Sequence, residues 1–235
     1  VDVVGGDFGS RVILEGVIEA HATAEKPFTA CLCGKESVIR SQLSDLDAGH
    51  LIEAREIIVE DCPQQVTRED SPSRAWKHKP RSPIVRCVAL QKEGKAHASL
   101  SAGDTGTLLG AAMFILGCRL SGGRPALAAC IPTAGETDAL LLDVGANLEC
   151  RAEHLVAFAA LGREYRRRIA PDRPLRIGLL NVGREAHKGT RVLGEADELL
   201  RRDCNEYIGF VEGSDILSGD VDVIVSVGPN MFLTV

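Results

Sequence analysis

Ala98–Gly117 reads ASLSAGDTGTLLGAAMFILG, and its reading decides the fold. Ala98-Ser99-Leu100-Ser101 is small and apolar enough to close a buried strand. Ala102-Gly103-Asp104-Thr105-Gly106 breaks it, because glycines mark turns or close backbone approach. Leu108–Leu116 then runs as an apolar helix. Strand, glycine loop and helix together aim backbone N–H groups and the positive end of a helix dipole at one point, which suits phosphate or another anion. A tight βα turn with glycines for packing is the other reading of the loop alone.

The flanks repeat the alternation. Val1–Val4 reads as a short strand, Gly5-Gly6-Asp7 as a turn, and a helix starts near Ser10 with Val12, Ile13, Val17 and Ala20 at helical spacing. Phe28–Cys33 is a second strand, Ser37–Leu46 a helix, Ile57–Glu60 a third strand and Ile84–Lys92 a helix. Residues 63–83 are a polar, proline-bearing connection with a basic cluster, Lys77, His78, Lys79 and Arg81, read as a solvated surface or a face for an acidic partner. Beyond the central helix, strands are expected up to Pro132, over Leu140–Leu142, over Ile177–Leu180 and over Val221–Val227. Helices are expected over Glu153–Arg167 and from Lys188-Gly189 to about Arg201. The leucines of Leu140–Leu142 suit a strand covered on both faces, and Asp143, Gly145 and Asn147 fall at its carboxyl end, where open α/β sheets place ligands. The expected fold is α/β: a three-layer α/β/α arrangement with a mostly parallel sheet, Rossmann-like, in a single domain over 1–235.

Composition narrows the function. The 235 residues are 45% hydrophobic and carry 27 basic and 33 acidic side chains, a net charge of −6. That balance points away from nucleic acid, which asks for a basic face. No apolar run reaches the roughly 20 residues of a membrane span. The eight cysteines include no C-x-x-C pair, so zinc-ribbon and thioredoxin-type readings fail and no metal is expected. Cys31 and Cys33 share one face of a strand. With no signal peptide at the start, the expected location is a reducing cytoplasm. The opening at Val1 inside a strand-like segment leads to the expectation of further residues in front.

Ser101-Ala102-Gly103-Asp104-Thr105-Gly106 resembles the S-A-G-N-T-G segment of the PlsX family, the bacterial acyl-ACP:phosphate acyltransferases of phospholipid synthesis. Asp2, Gly5, Gly6 and Asp7 match its opening D-A-M-G-G-D. Pro72, Ala75, Lys79 and Ser82 align with a lysine-bearing turn before a helix. Arg124-Pro125-Ala126-Leu127 and Leu141-Leu142-Asp143-Val144-Gly145-Ala146-Asn147 match R-P-A-L and L-L-D-V-G-A-N. Asn181, Gly183, Glu185, Lys188 and Gly189 match G-L-L-N-I-G-E-E…K-G. Gly209–Ile216 is similar to G-N-V-E-G-x-D-I, with Phe210 in place of Asn. The fold the resemblance implies is isocitrate/isopropylmalate dehydrogenase-like or phosphotransacetylase-like.

The resemblance implies transfer of a fatty acyl group from acyl carrier protein to inorganic phosphate, with no cofactor. Phosphate is the nucleophile, so no covalent enzyme intermediate is needed. The residues it points to are Gly5, Gly6, Asp7, Ser101, Gly103, Asp104, Thr105, Gly106 and Gly189 for phosphate and substrate. Lys188 is expected to supply counter-charge, and Asn147 and Asn181 to donate to the thioester oxygen. His97 and His187 are read as structural histidines before proton shuttles. Asp104 in place of Asn would repel phosphate by roughly 4 kcal/mol at 4 Å in a protein-surface dielectric. Arg184 replaces a Glu. The end keeps only Gly228 of D-G-F-x-G-N and lacks the helices that in the family help build a homodimer and a membrane-facing tip, so a divergent, C-terminally truncated member is expected. Two other readings stand beside this one: a non-catalytic relative that binds acyl carrier protein, and an α/β acetyltransferase that uses coenzyme A.

Overall fold

The alternation of apolar and thiol side chains on Ala30–Gly34 (β1) sorts the first half of the molecule into layers. In the computed structural model, Ala30 and Leu32 face a core with Leu14, Val17, Ile39 and Leu43, while Cys31 and Cys33 face Cys62, Cys87 and Leu90. The structure describes all residues except 68, 118–123, 148, 186–187 and 228–235. Contacts gather into two units, Val1–Gly117 and Cys118–Val235.

In the first unit β1 pairs in parallel with β2 (Ile57–Asp61). Helices α1 (Ser10–Thr23) and α2 (Glu36–Asp45), with the short α3 (His50–Glu53), fill one face of this pair. Helix α5 (Pro83–Lys92) lies on the other, thiol-bearing face. Burial and the neighbouring Cys31, Cys62 and Cys87 thiols push the Cys33 thiol up, with the contact to Cys31 the largest cause. Cys33 therefore behaves as a small, protonated core residue. Helix α4 (Pro72–His78) lies against α6 (Thr105–Ala111). From Ala112 to Leu116 the chain widens into a π turn.

Three expectations change here. Residues 63–83 are not only a connection, because Pro72 starts α4: proline's fixed φ and missing N–H suit the first helical turn. Val1–Val4 is reduced to a single parallel bridge, Asp2 with Cys33. Ala98–Ser101 is not a strand. One backbone bond, Asp2 N–H to Leu100 O at 2.9 Å, ties it down, and Leu100 is 66% exposed. Alanine and serine offer too little apolar area to pull the segment into the core. The Ser99 hydroxyl instead lies within hydrogen-bond distance of the Cys87 carbonyl and Gln91 Oε1 of α5, at 3.0 and 2.9 Å.

The second unit holds a five-stranded sheet in the order β3-β4-β7-β5-β6. Its strands are β3 (Ala128–Ile131), β4 (Ala139–Leu142), β5 (Ile177–Leu180), β6 (Tyr207–Val211) and β7 (Val223–Val225). Only the β3–β4 pair is antiparallel. All four residues of β4 are buried, as its leucine run foretells. Leu140 and Leu142 enter a core with Phe158, Leu155, Leu193 and Leu200 of α7 (Ala152–Ile169) and α8 (Arg191–Asp203). Ala139 and Leu141 enter the opposite one with Val211 and Ile224. The mixed α/β fold with a mostly parallel sheet agrees with the class read from the sequence.

Candidate functional site

Asp2 organises the loops of the first unit. Its buried carboxylate accepts the Val4 and Gly5 N–H groups on Oδ1, at 3.0 and 3.2 Å, and the Ser101 hydroxyl on Oδ2 at 2.7 Å. The Ser101 hydroxyl in turn accepts Gly103 N–H at 3.0 Å. One side chain thus joins the loop after Val4 to the loop after Ser101. Gly5 permits that approach: a Cβ there would stand 2.5 Å from Gly103 N and 2.9 Å from Asp2 Oδ2.

Asp104 begins α6. Its Oδ1 accepts Thr107 N–H at 2.7 Å, so the Asp that stands where the resembling segment has Asn is a helix N-cap, a position aspartate favours as strongly as asparagine. Beneath the loops lies a cavity of about 380 Å³. Gly5, Gly6, Gly103, Asp104 and Thr107 line it with Val4 and Asp2. Pro72, Pro83, Ile84 and Val66 add an apolar wall, and Gln65, Thr67 and Asp70 a polar one. Asp7, Thr105 and Gly106 are exposed beside it, outside its lining, and Ser101 acts from behind the wall through Asp2.

The charged side chains that line the cavity among the described residues are the carboxylates Asp2, Asp70 and Asp104. Asp70 is held down at about 2, first by its contact with the Lys79 ammonium and then by Thr67 N–H. Lys79 is committed in return, at 2.6 Å to Asp70 and 2.7 Å to the Gln65 carbonyl. Among the described residues that line the cavity there is no lysine, arginine or histidine.

Thr107 is the lining residue the sequence reading passes over. It is 1% exposed, and its hydroxyl has no partner among the described residues. Its place three residues after an N-cap aspartate was visible in the sequence. The cavity beside it was not.

The remaining expected residues lie in the second unit. Asp143 is buried at the end of β4 and accepts four bonds: Leu127 and Ala146 N–H on Oδ1, Asn147 N–H and Asn147 Nδ2 on Oδ2, at 2.7–3.0 Å. Asn147 Nδ2 also donates to the Pro125 carbonyl at 2.9 Å. After β5, Asn181 Nδ2 donates to the Gly183 and Lys188 carbonyls at 3.0 and 2.9 Å. Both hydrogens of each carboxamide are therefore engaged by acceptors of the second unit itself, and neither is left for a thioester oxygen. This departs from the donor role expected for them. Gly189 sits at φ +93° directly against the Asn181 carboxamide, where a side chain would be strained and displaced. Lys188 pairs with Glu185 at 2.9 Å. Arg184 pairs with Asp215 at 2.7 Å. His97 is exposed and outside the cavity's lining; His187 lies outside the described residues.

The model of the family described as "Fatty acid synthesis protein" matches residues 1–234. A protein named phosphate acyltransferase from Dehalococcoides mccartyi is 42% identical over 228 residues, 97% of this chain and 64% of that protein. Its namesake from Bacillus pumilus is 38% identical over 229 residues, 97% of this chain and 66% of that protein. The chain thus spans just under two thirds of the length of these relatives. Among solved structures, a branched-chain phosphotransacylase from Enterococcus faecalis V583 is similar with a TM-score of 0.60 at 16% identity, covering 99% of this chain and 81% of that one. The EutD phosphotransacetylase from Staphylococcus aureus is similar with a TM-score of 0.62 at 14% identity, covering 95% of this chain and 78% of that one. At such identities the likeness is one of fold, and it agrees with the phosphotransacetylase-like arrangement read from the sequence. The match over residues 1–234 carries the assignment: the chain belongs to the fatty acid synthesis protein family, the PlsX family.

Proposed function

We propose that this protein transfers a fatty acyl group from the thioester of acyl carrier protein to inorganic phosphate, in the service of phospholipid synthesis. A phosphate oxygen attacks the thioester carbonyl, the C–O bond forms, the C–S bond breaks, and the carrier leaves as a thiol after taking up a proton. The observation that carries the reading is the pair of glycine loops braced by Asp2 over a cavity, in a family whose curated relatives are named phosphate acyltransferase. Such a reaction needs positioning and oriented donors rather than an activated side-chain nucleophile. In this reading the N–H groups of Gly6, Asp7, Thr105 and Gly106 hold phosphate at the rim of the loops. Gly5, Ser101, Gly103 and Asp104 hold those loops in shape. In the second unit Lys188 pairs with Glu185 beside Gly189, and Asn147 and Asn181 brace the segments they join.

The test is to mix the protein with palmitoyl-acyl carrier protein and phosphate and trap the product with hydroxylamine. Phosphate-dependent hydroxamate is the expected outcome. Its absence, from folded protein that binds carrier protein, overturns the reading in favour of a non-catalytic carrier-binding relative. Running the same assay with acetyl-coenzyme A separates a carrier-protein enzyme from a coenzyme A enzyme.

A further inference from the structure

We propose that the cavity of the first unit receives the uncharged, amide-bearing arm through which carrier proteins and coenzyme A present a thioester, with the Thr107 hydroxyl as one of its hydrogen-bonding partners. This rests on the acyl-transfer reading above and gives the cavity's interior to the acyl donor rather than to phosphate.

Three observations converge. The first is the orphaned hydroxyl. A helical threonine ordinarily returns its hydroxyl to the carbonyl one turn back. Here Thr107 N–H goes to Asp104 Oδ1 and Leu108 N–H to Asp104 O, while Thr107 Oγ1, buried at the cavity wall, has no partner among the described residues. A buried polar group left so is costly, and a ligand that completes the bond recovers that cost.

The second is charge. Asp2, Asp70 and Asp104 all line the cavity, and the nearby ammonium of Lys79 is spent on Asp70 and the Gln65 carbonyl. A phosphate placed inside would meet like charge.

The third is the inventory of free groups. Asp104 uses Oδ1 and Asp70 uses Oδ2 within the protein, so each keeps one oxygen able to accept. Gln65, also in the lining, brings side-chain amide donors. Acceptors beside donors match an amide, which carries both N–H and C=O. The apolar wall of Val4, Val66, Pro72, Pro83 and Ile84 suits the intervening hydrocarbon. A volume of about 380 Å³ lies within the range of small-molecule sites.

The experiment titrates the full chain with pantetheine, which has the arm but no phosphate. The expected result is binding that saturating inorganic phosphate leaves intact. Thr107→Val weakens it by about 3- to 10-fold, the size of one neutral hydrogen bond, Thr107→Ser restores it, and phosphate affinity stays the same in both. A second measurement needs no variant: pantetheine shifts the backbone amide resonances of Val66 and Ile84, in the cavity wall away from the phosphate loop, in the wild type, and inorganic phosphate does not. The proposal is overturned if folded wild type does not bind pantetheine, if phosphate displaces it, if the valine variant binds it equally well, or if phosphate is what moves those resonances. Once binding is seen, the variant's change in KM for palmitoyl-acyl carrier protein or for acetyl-coenzyme A tells which donor brings the arm. Because pantetheine binding is read without turnover, its failure leaves the hydroxamate result standing, and the reverse also holds.

Discussion

The glycine loops of the first unit enclose space, and those of the second are filled by their own side chains. Both begin with an aspartate at or near a strand's end. Asp2 ties two loops together and leaves a cavity of about 380 Å³ beside them. Asp143 draws four donors onto itself, and Asn147 and Asn181 spend both amide hydrogens on neighbouring acceptors of the same unit. The same residue types therefore do different work. A strand-end Asx loop becomes a binding site only where its polar atoms are left with unmade bonds, as at Thr107, and otherwise it is a brace.

The strongest way to break this contrast is Asp143→Ala. It strands several buried N–H groups at once, so a loss of about 3 kcal/mol of stability is expected. Urea unfolding followed by circular dichroism measures it, and a loss under 1 kcal/mol would show that the loop does not need its brace. Gly5→Ala comes next. A Cβ would collide with Gly103 N, so the two loops must part, at a cost of about 1–3 kcal/mol. If that variant melts like the wild type, the close approach is not what sets the cavity. The smallest effect concerns acid. Lys79 and Thr67 hold Asp70 at about 2 against an ordinary value of 3.8. A carboxylate whose pKa is lowered on folding contributes stability that is present above 3.8 and disappears as pH falls through about 2. Asp70→Asn should therefore flatten the loss of stability between about pH 4 and 2, with a deficit that is full at pH 7 and gone by about pH 2; an unchanged acid limb would remove the Lys79 pair from the account.

How much of this was legible in the sequence varies with how local the cause is. Ser10, Pro83, Ala152 and Arg191 open helices close to where the sequence pattern put them. Ala139–Leu142 and Ile177–Leu180 are buried strands because leucine and isoleucine runs of that length bring their own driving force. Ala98–Ser101 failed as a strand for want of that area; the helix expected after the loop from Leu108 is there but opens three residues earlier, at Thr105. Asp104 looked like a misplaced charge beside phosphate. Its role as an N-cap follows from the position of Thr107 N–H, three residues on.

The sequence by itself determined the α/β class, the family and the loops that matter, because hydrophobic period, glycine positions and ordered motifs are properties of neighbouring residues. Only the tertiary structure decided which loops are open. Asp2 meets Ser101 across 99 residues of chain, Pro72 and Ile84 close a wall that neither segment announces, and that packing leaves the Thr107 hydroxyl with no partner among the described residues. Whether a polar atom is satisfied depends on what the folded chain brings within about 3 Å of it, and no local pattern encodes that.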